Sequence, residues 1–344
     1  MNRLDKLEIP VIQGGMGIGI SLGGLAGSVA ACGGMGVIST ANIGFREPDF
    51  YENTEEADCR ALRKEIRRAR KISGGRGLLA VNAMVATTRY DQMIRTACEE
   101  GIDAVISGAG LPLRLPELTK GFDVLLAPIV SGGRAARSVL NFWKKRHSRN
   151  ADFVVVEGSR AGGHLGFSRQ EVTEGTAKTL PRLVEEVCLE AGGLPVFAAG
   201  SVYDRQDMQA VKRAGAGGVQ IATQFIACRE CDASQGFKDV ILHAAEEDMT
   251  ILKSPVGMPG RGLRTPLIRK VGAGERIPPK RCIRCIHGCS PSETPYCINQ
   301  ALISAWEGNY EEGLFFCGAN VGKVNEMTTV ELLMKKLEED WRKA

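Results

Sequence analysis

The sequence predicts a (β/α)₈ TIM barrel, an α/β fold in which eight parallel strands alternate with helices around a closed sheet. Three observations support this prediction, the first two of which concern the alternation of strands and helices. Short runs rich in β-branched residues recur up to about residue 227, and stretches with helical periodicity separate many of them. A third observation is the glycine content of 42 in 344 residues, well above the roughly 7% of an average protein. This excess indicates many tight turns, or backbone that approaches a ligand closely.

The strands and helices alternate in a regular order. We predict strands at residues 9–13, 36–40, 78–84, 104–108, 124–130, 153–157, 195–200 and 218–225. Helical periodicity covers residues 60–72, 92–100, 133–145, 176–191 and 204–214. Because two parallel strands need a crossover of a dozen or more residues, this alternation indicates parallel pairing. Eight such units fit a closed barrel.

An open, doubly wound sheet is the competing fold, because Gly15, Gly17 and Gly19 follow a strand as they would in a dinucleotide-binding loop. Their spacing is not G-x-G-x-x-G, however, and the second strand ends in Ser39 and Thr40 without an acidic residue for a ribose. The barrel is therefore preferred.

The strand and helix rhythm predicts three regions. We expect residues 1–235 to form the barrel and residues 236–326, rich in proline, glycine and cysteine, to form a smaller substrate or lid subdomain above it. Residues 327–344 are expected to form a helix that packs on the barrel, with Thr328 and Glu331 as its capping box. Active sites of barrels lie at the carboxyl ends of the strands, where this subdomain would sit.

The charge balance argues against some classes of function. With 44 basic and 40 acidic residues, the net charge of +4 is too small and dispersed for a nucleic-acid partner. The basic run at 60–71 is interpreted as an exposed helix face. No window of about 20 apolar residues predicts a membrane span, and we expect a cytoplasmic protein. Its eleven cysteines are then expected to be thiols or metal ligands rather than disulfides.

Glycine-rich segments recur at the carboxyl ends of the predicted strands. Backbone without a Cβ can approach a ligand closely and present N–H groups to an anion. Gly200 and residues 217–223 follow the seventh and eighth strands, the usual phosphate site of this fold. A phosphorylated cofactor is therefore expected. Asn82, at the end of the third strand, either contacts a flavin ring edge or caps the following loop.

Two further groups could carry chemistry. His164 follows a strand end among glycines, and its imidazole is either catalytic or structural. Cys282, Cys285, Cys289 and Cys297 have a spacing that could hold an iron–sulfur cluster or zinc. The same cysteines could also be plain thiols, as the chain uses cysteine freely elsewhere, and this second interpretation is preferred.

The glycine-rich motifs resemble, as an ordered set, those of the nitronate monooxygenase family, formerly called 2-nitropropane dioxygenases. This family includes the flavin-dependent enoyl-acyl-carrier-protein reductases II. The motifs are residues 9–17, 81–82, 107–110, 154–158 with 161–164, 196–200, 219–223 and 257–262. The resemblance implies a (β/α)₈ barrel with a smaller substrate domain and one non-covalent FMN.

The resemblance also implies roles for individual residues. His164 corresponds to the family's catalytic or substrate-orienting histidine. The FMN contacts correspond to Gly14, Gly15, Met16, Asn82, Glu157, Gly162, Gly163, Gly200, Gln220, Ile221, Ala222 and Thr223. The phosphate would lie against Gly200 and the turn at 220–223. Two positions depart from the family pattern: Arg160 stands where an acidic residue is frequent, and Ala222 replaces a glycine.

Three functions compete at this point. The leading one is FMN-dependent oxidation of alkyl nitronates by dioxygen. In the second, NAD(P)H supplies electrons for reduction of an activated C=C bond in an enoyl thioester or an enone. In the third, the barrel binds FMN without turnover. The partner of either enzyme is a small-molecule substrate, and assembly as a homodimer stays open.

Overall fold

The computed structural model describes residues 3–344 and contains a closed barrel with strand order β1-β2-β3-β4-β5-β6-β8-β9. A second sheet of three strands has the order β10-β11-β7. Strands β1 to β11 lie at Val11–Gln13, Met35–Ser39, Leu78–Met84, Ala104–Gly108, Leu125–Val130, Val154–Glu157, Gly163–His164, Val196–Ala199, Gly218–Ile221, Met249–Lys253 and Pro259–Leu263.

Helices surround the barrel and cover its carboxyl-terminal end. Helices α1 to α13 lie at Gly23–Ala31, Thr54–Ser73, Tyr90–Glu99, Leu115–Leu118, Gly133–His147, Arg169–Thr173, Leu180–Ala191, Arg205–Arg213, Thr223–Ile226, Gln235–Leu242, Pro266–Gly272, Ile298–Trp306 and Val330–Lys343. Short 3₁₀ helices occur at Arg3–Lys6, Glu246–Asp248 and Val321–Lys323.

All eight barrel pairings are parallel, and β1 closes the barrel against β9 with Val11 opposite Val219. The predicted fold class is thereby confirmed. The eighth barrel strand is shorter than predicted, because it ends at Ile221 and the chain turns at Ala222 into α9. Helix α7 begins at Leu180 rather than 176, with Pro181 in its first turn, where a missing N–H costs little.

Helix α1 was not predicted from the sequence. Its residues are mostly buried, including Leu25, Ala26 and Val29, and they show no polar face from which a helical period could be recognised. The helix packs between β2 and α2. Its close approach to β2 depends on Gly36, where an added Cβ would lie 1.8 Å from the Ala26 carbonyl oxygen.

The barrel interior is filled by side chains from alternating strand positions. Ile12, Val37, Ala80 and Ile106 belong to this cluster, as do Phe153 and Phe197. The two phenylalanine rings meet edge to face with centroids 5.5 Å apart. The barrel is therefore a packed core below its carboxyl-terminal end, and any ligand must bind above it.

The last helix, α13, contacts α1 and α8 on the outside of the barrel. Its N-cap is Thr329 rather than the predicted Thr328, and the Thr329 side chain accepts a hydrogen bond from the Leu332 amide. The side chains of Leu333 and Leu337 are buried, whereas Leu332 is largely exposed.

Three expectations can be compared with this fold. Within residues 3–344, no helix is long and apolar enough to cross a membrane. All eleven cysteines lie in the described part of the chain, and each is a free thiol. The arginines of α2 mostly pair with carboxylates, as Arg60 does with Glu47 and Arg67 with Glu100, in agreement with an exposed, charged helix face.

The close contact at Gly36 gives a stability prediction. We expect Gly36→Ala to lower the free energy of unfolding by about 3 kcal/mol or more, because the methyl group cannot fit against the Ala26 carbonyl without moving α1. Gly272→Ala is the matched control, since a Cβ there meets no atom within 4 Å. Urea unfolding of both variants measures the difference, and equal stability would contradict the tight packing of α1 on β2.

Candidate active site

All of the predicted catalytic and cofactor-binding residues line one cavity of about 240 Å³ at the carboxyl ends of the barrel strands, and the four candidate metal-binding cysteines lie outside it. The catalytic and cofactor-binding residues are His164 together with Gly14, Gly15, Met16, Asn82, Glu157, Gly162, Gly163, Gly200, Gln220, Ile221, Ala222 and Thr223. Residues far apart in the sequence thus share one wall because parallel strands end at the same rim.

One wall is built where β1 and β3 end. The buried Gln13 amide donates to the Gly14 carbonyl at 2.5 Å and accepts from the Val37 amide at 3.0 Å, which holds the first loop against β2. At Gly15, an added Cβ would lie 2.4 Å from the Cβ of Asn82. Only glycine therefore allows these two strand ends to approach so closely.

The neighbouring part of the rim joins the loops that follow β8 and β9, where β9 pairs with β1. Gly200 has a φ of +94°, and a Cβ there would lie 2.7 Å from the Gly158 amide nitrogen. Thr223 Oγ1 accepts from the Gly318 amide at 2.9 Å, and the Asn320 side chain donates to the Ser201 carbonyl at 2.9 Å. Chain beyond the barrel therefore ties both loops together, which sequence analysis did not predict.

Glu157 ends β6 and lines the cavity. Its carboxyl group has no hydrogen-bond or ion-pair partner in residues 3–344. Burial away from water disfavours the charged form and raises the pKa of Glu157 to about 8. At neutral pH the carboxyl group is therefore mostly protonated and can donate a hydrogen bond to a ligand.

His164 lies on the short strand β7 at the same rim. Its Nε2 is 2.7 Å from the hydroxyl oxygen of Ser254, and its ring meets Phe316 edge to face with centroids 5.2 Å apart. Burial lowers the pKa of His164 to about 4, so the imidazole is neutral at physiological pH. Ser254 and Phe316 were missed because no motif marks them and they follow His164 by 90 and more residues.

Arg261 connects the histidine loop to the second sheet. Its guanidinium donates to the carbonyls of Ser159 at 2.8 Å and Ala161 at 3.1 Å. The strand that carries it, β11, pairs antiparallel with β7, with Gly260 opposite His164. This contact explains physically why the motif at 257–262 accompanies the histidine motif.

Arg160 departs from the family pattern at the edge of this loop. Its carbonyl accepts hydrogen bonds from the Ser201 hydroxyl and the Ala319 amide, while its side chain is exposed. The positive charge of Arg160 helps to lower the pKa of Arg261, after the larger effect of burial. Arg160 therefore adds positive charge beside the cavity while its carbonyl anchors the loop.

The cysteine-rich segment docks on the loop after β3. The Thr88 amide and hydroxyl donate to the carbonyls of Cys285 and Arg284 at 3.1 and 2.7 Å. The segment leads into α12, whose Leu302 lines the cavity. Within the described residues 3–344, no three histidine, cysteine or acidic side chains are arranged to hold a metal ion.

The cavity fits a flavin mononucleotide on two observations. Its rim is made of glycine backbone at three strand ends, and a Cβ on Gly163 would point into open space. The side-chain oxygen Oε1 of Gln220 is buried without a hydrogen-bond partner in the described chain. Buried acceptors are normally paired, so this oxygen is expected to receive an N–H or O–H donor from a ligand.

The raised pKa of Glu157 predicts a dependence of stability on pH. The folded-state pKa of about 8 lies above the usual value of 4.5, so the native protein retains a proton that the unfolded chain loses between these pH values. The free energy of unfolding then decreases as pH rises from 4.5 to 8. Glu157→Gln cannot titrate and avoids this loss.

We therefore expect the melting temperature of Glu157→Gln, minus that of the wild type, to increase from pH 5 to pH 8 in flavin-free protein. Both proteins contain His164, so its own titration cancels in the difference. Thermal unfolding followed by circular dichroism at several pH values measures this difference in melting temperature. A difference that does not change with pH would mean that Glu157 is ionised in the folded protein.

Comparison with known proteins agrees with this architecture. The family model for nitronate monooxygenase matches residues 50–340. A probable nitronate monooxygenase of Staphylococcus saprophyticus is 25% identical over 299 residues, covering 78% of this chain and 79% of that protein. The (3aS,4S,5R,7aS)-5-hydroxy-7a-methyl-1-oxo-octahydro-1H-indene-4-carboxyl-CoA dehydrogenase of Mycobacterium tuberculosis is 27% identical over 276 residues, covering 80% of this chain and 69% of that protein.

Among solved structures, FabK from Thermotoga maritima superposes with a TM-score of 0.77 at 27% identity, covering 98% of this chain and 95% of that one. The family match spans most of the chain, and the closed barrel and its glycine-rich rim accord with it. The chain belongs to the nitronate monooxygenase family and is a flavin-dependent oxidoreductase.

Proposed function

We propose that this protein oxidises alkyl nitronates with dioxygen, using one non-covalent FMN, and releases a carbonyl compound and nitrite. The observation that carries the proposal is the neutral, buried imidazole of His164 on the wall of a cavity rimmed by glycine backbone. The relationship to the family supports the same reaction. A neutral imidazole can hydrogen-bond the oxygen of an anionic substrate without requiring a second charge to be buried.

The residues at the rim are proposed to hold the cofactor. Gly14, Gly15 and Met16 would form one side of the flavin site, with Asn82 and Glu157 at the ring edge. The phosphate would lie against Gly200 and the turn at 220–223, where backbone N–H groups can approach an anion. When bound, FMN accepts the electron pair that leaves the substrate and passes it to dioxygen.

His164 is proposed to orient the substrate within the same cavity. In the described chain, the ionisable side chains that line the cavity are those of Glu157, His164, Tyr203 and Cys317. Because Glu157 and His164 are both neutral, the substrate oxygen would meet hydrogen-bond donors and no ionised carboxylate. The substrate can then keep its negative charge until the electron pair is removed.

Each of the three predicted regions would have a separate role. Residues 1–235 would bind FMN, residues 236–326 would cover the substrate, and residues 327–344 would support the barrel from outside. Phe237, Leu302, Leu314 and Phe316 from beyond the barrel line the cavity. An apolar wall of this kind accepts the alkyl part of a nitronate.

A second candidate is reduction of an activated C=C bond with NAD(P)H as the electron donor. The observation in its favour is the structural similarity to FabK over almost the whole of both chains. In this reaction His164 would hydrogen-bond the carbonyl oxygen of an enoyl thioester or an enone. The cavity residues are the same, so the electron donor must be identified by experiment.

Anaerobic mixing of the flavin-loaded protein with either donor distinguishes the two candidates. We expect an alkyl nitronate to bleach the flavin absorbance rapidly and NADH or NADPH to have no comparable effect. Bleaching by a nicotinamide alone would overturn the nitronate proposal and favour the reductase. The measurement is a stopped-flow absorbance trace with wild-type protein and variants at two histidines.

Among these variants, His164→Ala is expected to retain FMN but to lose about a hundredfold in kcat/KM for the nitronate, because the substrate is no longer oriented. His243→Ala is the matched control, since His243 is exposed at the end of α10. Unchanged turnover in His164→Ala would remove His164 from the reaction, whereas FMN binding without turnover of any tested substrate in the wild type and in His164→Ala would support a barrel that binds FMN without catalysis.

We further propose that Cys282, Cys285, Cys289 and Cys297 are thiols rather than ligands of an iron–sulfur cluster or zinc. The separate hydrogen bonds of their loop to Thr88 hold the segment in place without a metal. Protein purified without oxygen is expected to contain no stoichiometric iron, acid-labile sulfide or zinc. Stoichiometric iron and sulfide would identify a cluster and overturn this proposal.

A further inference from the structure

Ser254 lies in a hydrogen-bonded turn beside His164. It follows β10, and its amide donates to the Met258 carbonyl while its carbonyl accepts from the Gly257 amide. The side chain is buried, with 2% of its surface exposed. The turn is joined to the histidine through β11, which pairs with β7. The hydroxyl therefore meets the imidazole in a fixed orientation.

The hydrogen bonds of Ser254 decide which ring nitrogen of His164 carries the proton. A hydroxyl has one proton to donate and can accept two. Ser254 Oγ already accepts from the Val256 amide at 3.2 Å and lies 2.7 Å from His164 Nε2. Within residues 3–344, the imidazole nitrogen is the one acceptor found for the hydroxyl proton.

If Nε2 carried the proton, Ser254 Oγ would receive two N–H groups and its own O–H would be buried without an acceptor. Buried donors without partners are rare because they lose their hydrogen bonds to water. In the arrangement that pairs every donor, the Ser254 hydroxyl donates to an unprotonated Nε2 of His164. A neutral imidazole then carries its proton on Nδ1, for which the described chain provides no partner.

We propose that Ser254 is a positioning residue that holds His164 in the Nδ1–H tautomer, so that Nδ1 donates a hydrogen bond to an oxygen of the substrate. This inference rests on the proposed function for the identity of that oxygen. It means that His164 does not act as a base through Nε2. The protein then takes substrate that is already the nitronate anion in preference to the neutral nitroalkane, which must first lose a proton.

The tautomer can be measured without any substrate. Two-bond ¹H–¹⁵N spectra of flavin-loaded protein with ¹⁵N-labelled histidine separate the two neutral tautomers, and His164→Gln identifies the His164 signals. We expect the Nδ1–H pattern in the wild type and its loss or mixing in Ser254→Ala. An Nε2–H pattern in the wild type would overturn the inference, whether or not the protein oxidises nitronates.

Kinetics test the consequence for the substrate. Ser254→Ala is expected to lower kcat/KM for the nitronate about tenfold or more, mainly through KM, because the donor no longer faces the substrate reliably. Ser254→Thr keeps the hydroxyl and is expected to restore both the tautomer and the KM. Ser138→Ala removes an exposed hydroxyl on α5 that bonds only its own helix, and serves as the control.

A double substitution separates positioning from simple loss of structure. If Ser254 acts through His164, Ser254→Ala should have little further effect in a His164→Ala protein. Additive losses would overturn the inference. If no variant or wild-type protein reacts with a nitronate while the Nδ1–H pattern is present, the proposed function fails and the tautomer assignment stands.

Discussion

The antiparallel pairing of β11 with β7 is the contact on which the site depends. It brings chain from beyond the barrel against the loop that carries His164, with Gly260 opposite the histidine. Arg261 reinforces the join by donating to the carbonyls of Ser159 and Ala161. Because these acceptors are neutral, the guanidinium brings no carboxylate into the cavity wall. Without the pairing, the loop would face solvent, and water would reach the groups whose pKa values now depend on its exclusion.

Exclusion of water acts in opposite directions on the two acid–base groups of the cavity. It raises the pKa of Glu157 and lowers that of His164, since it disfavours whichever form is charged. Both side chains are therefore neutral near pH 7. An entering anion then meets hydrogen-bond donors and no opposing carboxylate. Arg160 precedes Ala161, which lines the cavity, and its side chain is exposed outside the cavity. Because water solvates the guanidinium there, this positive charge carries no desolvation penalty.

The barrel and its rim could be predicted from the sequence because both follow from local patterns. Buried parallel strands are continuous apolar runs, and glycine marks the ends where backbone approaches backbone, as at Gly15. Helix α1 escaped prediction because its buried faces show no amphipathic period. Ser254 and Phe316 escaped because their proximity to His164 arises from tertiary pairing of strands distant in sequence. The pKa shifts likewise need the assembled cavity, since desolvation has no signature in a linear chain.

The two candidate reactions make the same demand on this cavity. A nitronate and an enoyl carbonyl each present an oxygen that accepts a hydrogen bond, and each carries an apolar chain beside the reacting carbon. One neutral donor at His164, in the role proposed for it, would serve either oxygen. Discrimination must then come from the shape of the apolar wall, to which Phe237, Leu302 and Phe316 contribute. These residues lie beyond the eight barrel strands, so chain outside the barrel can change the shape of this wall while the glycine-rich rim stays the same.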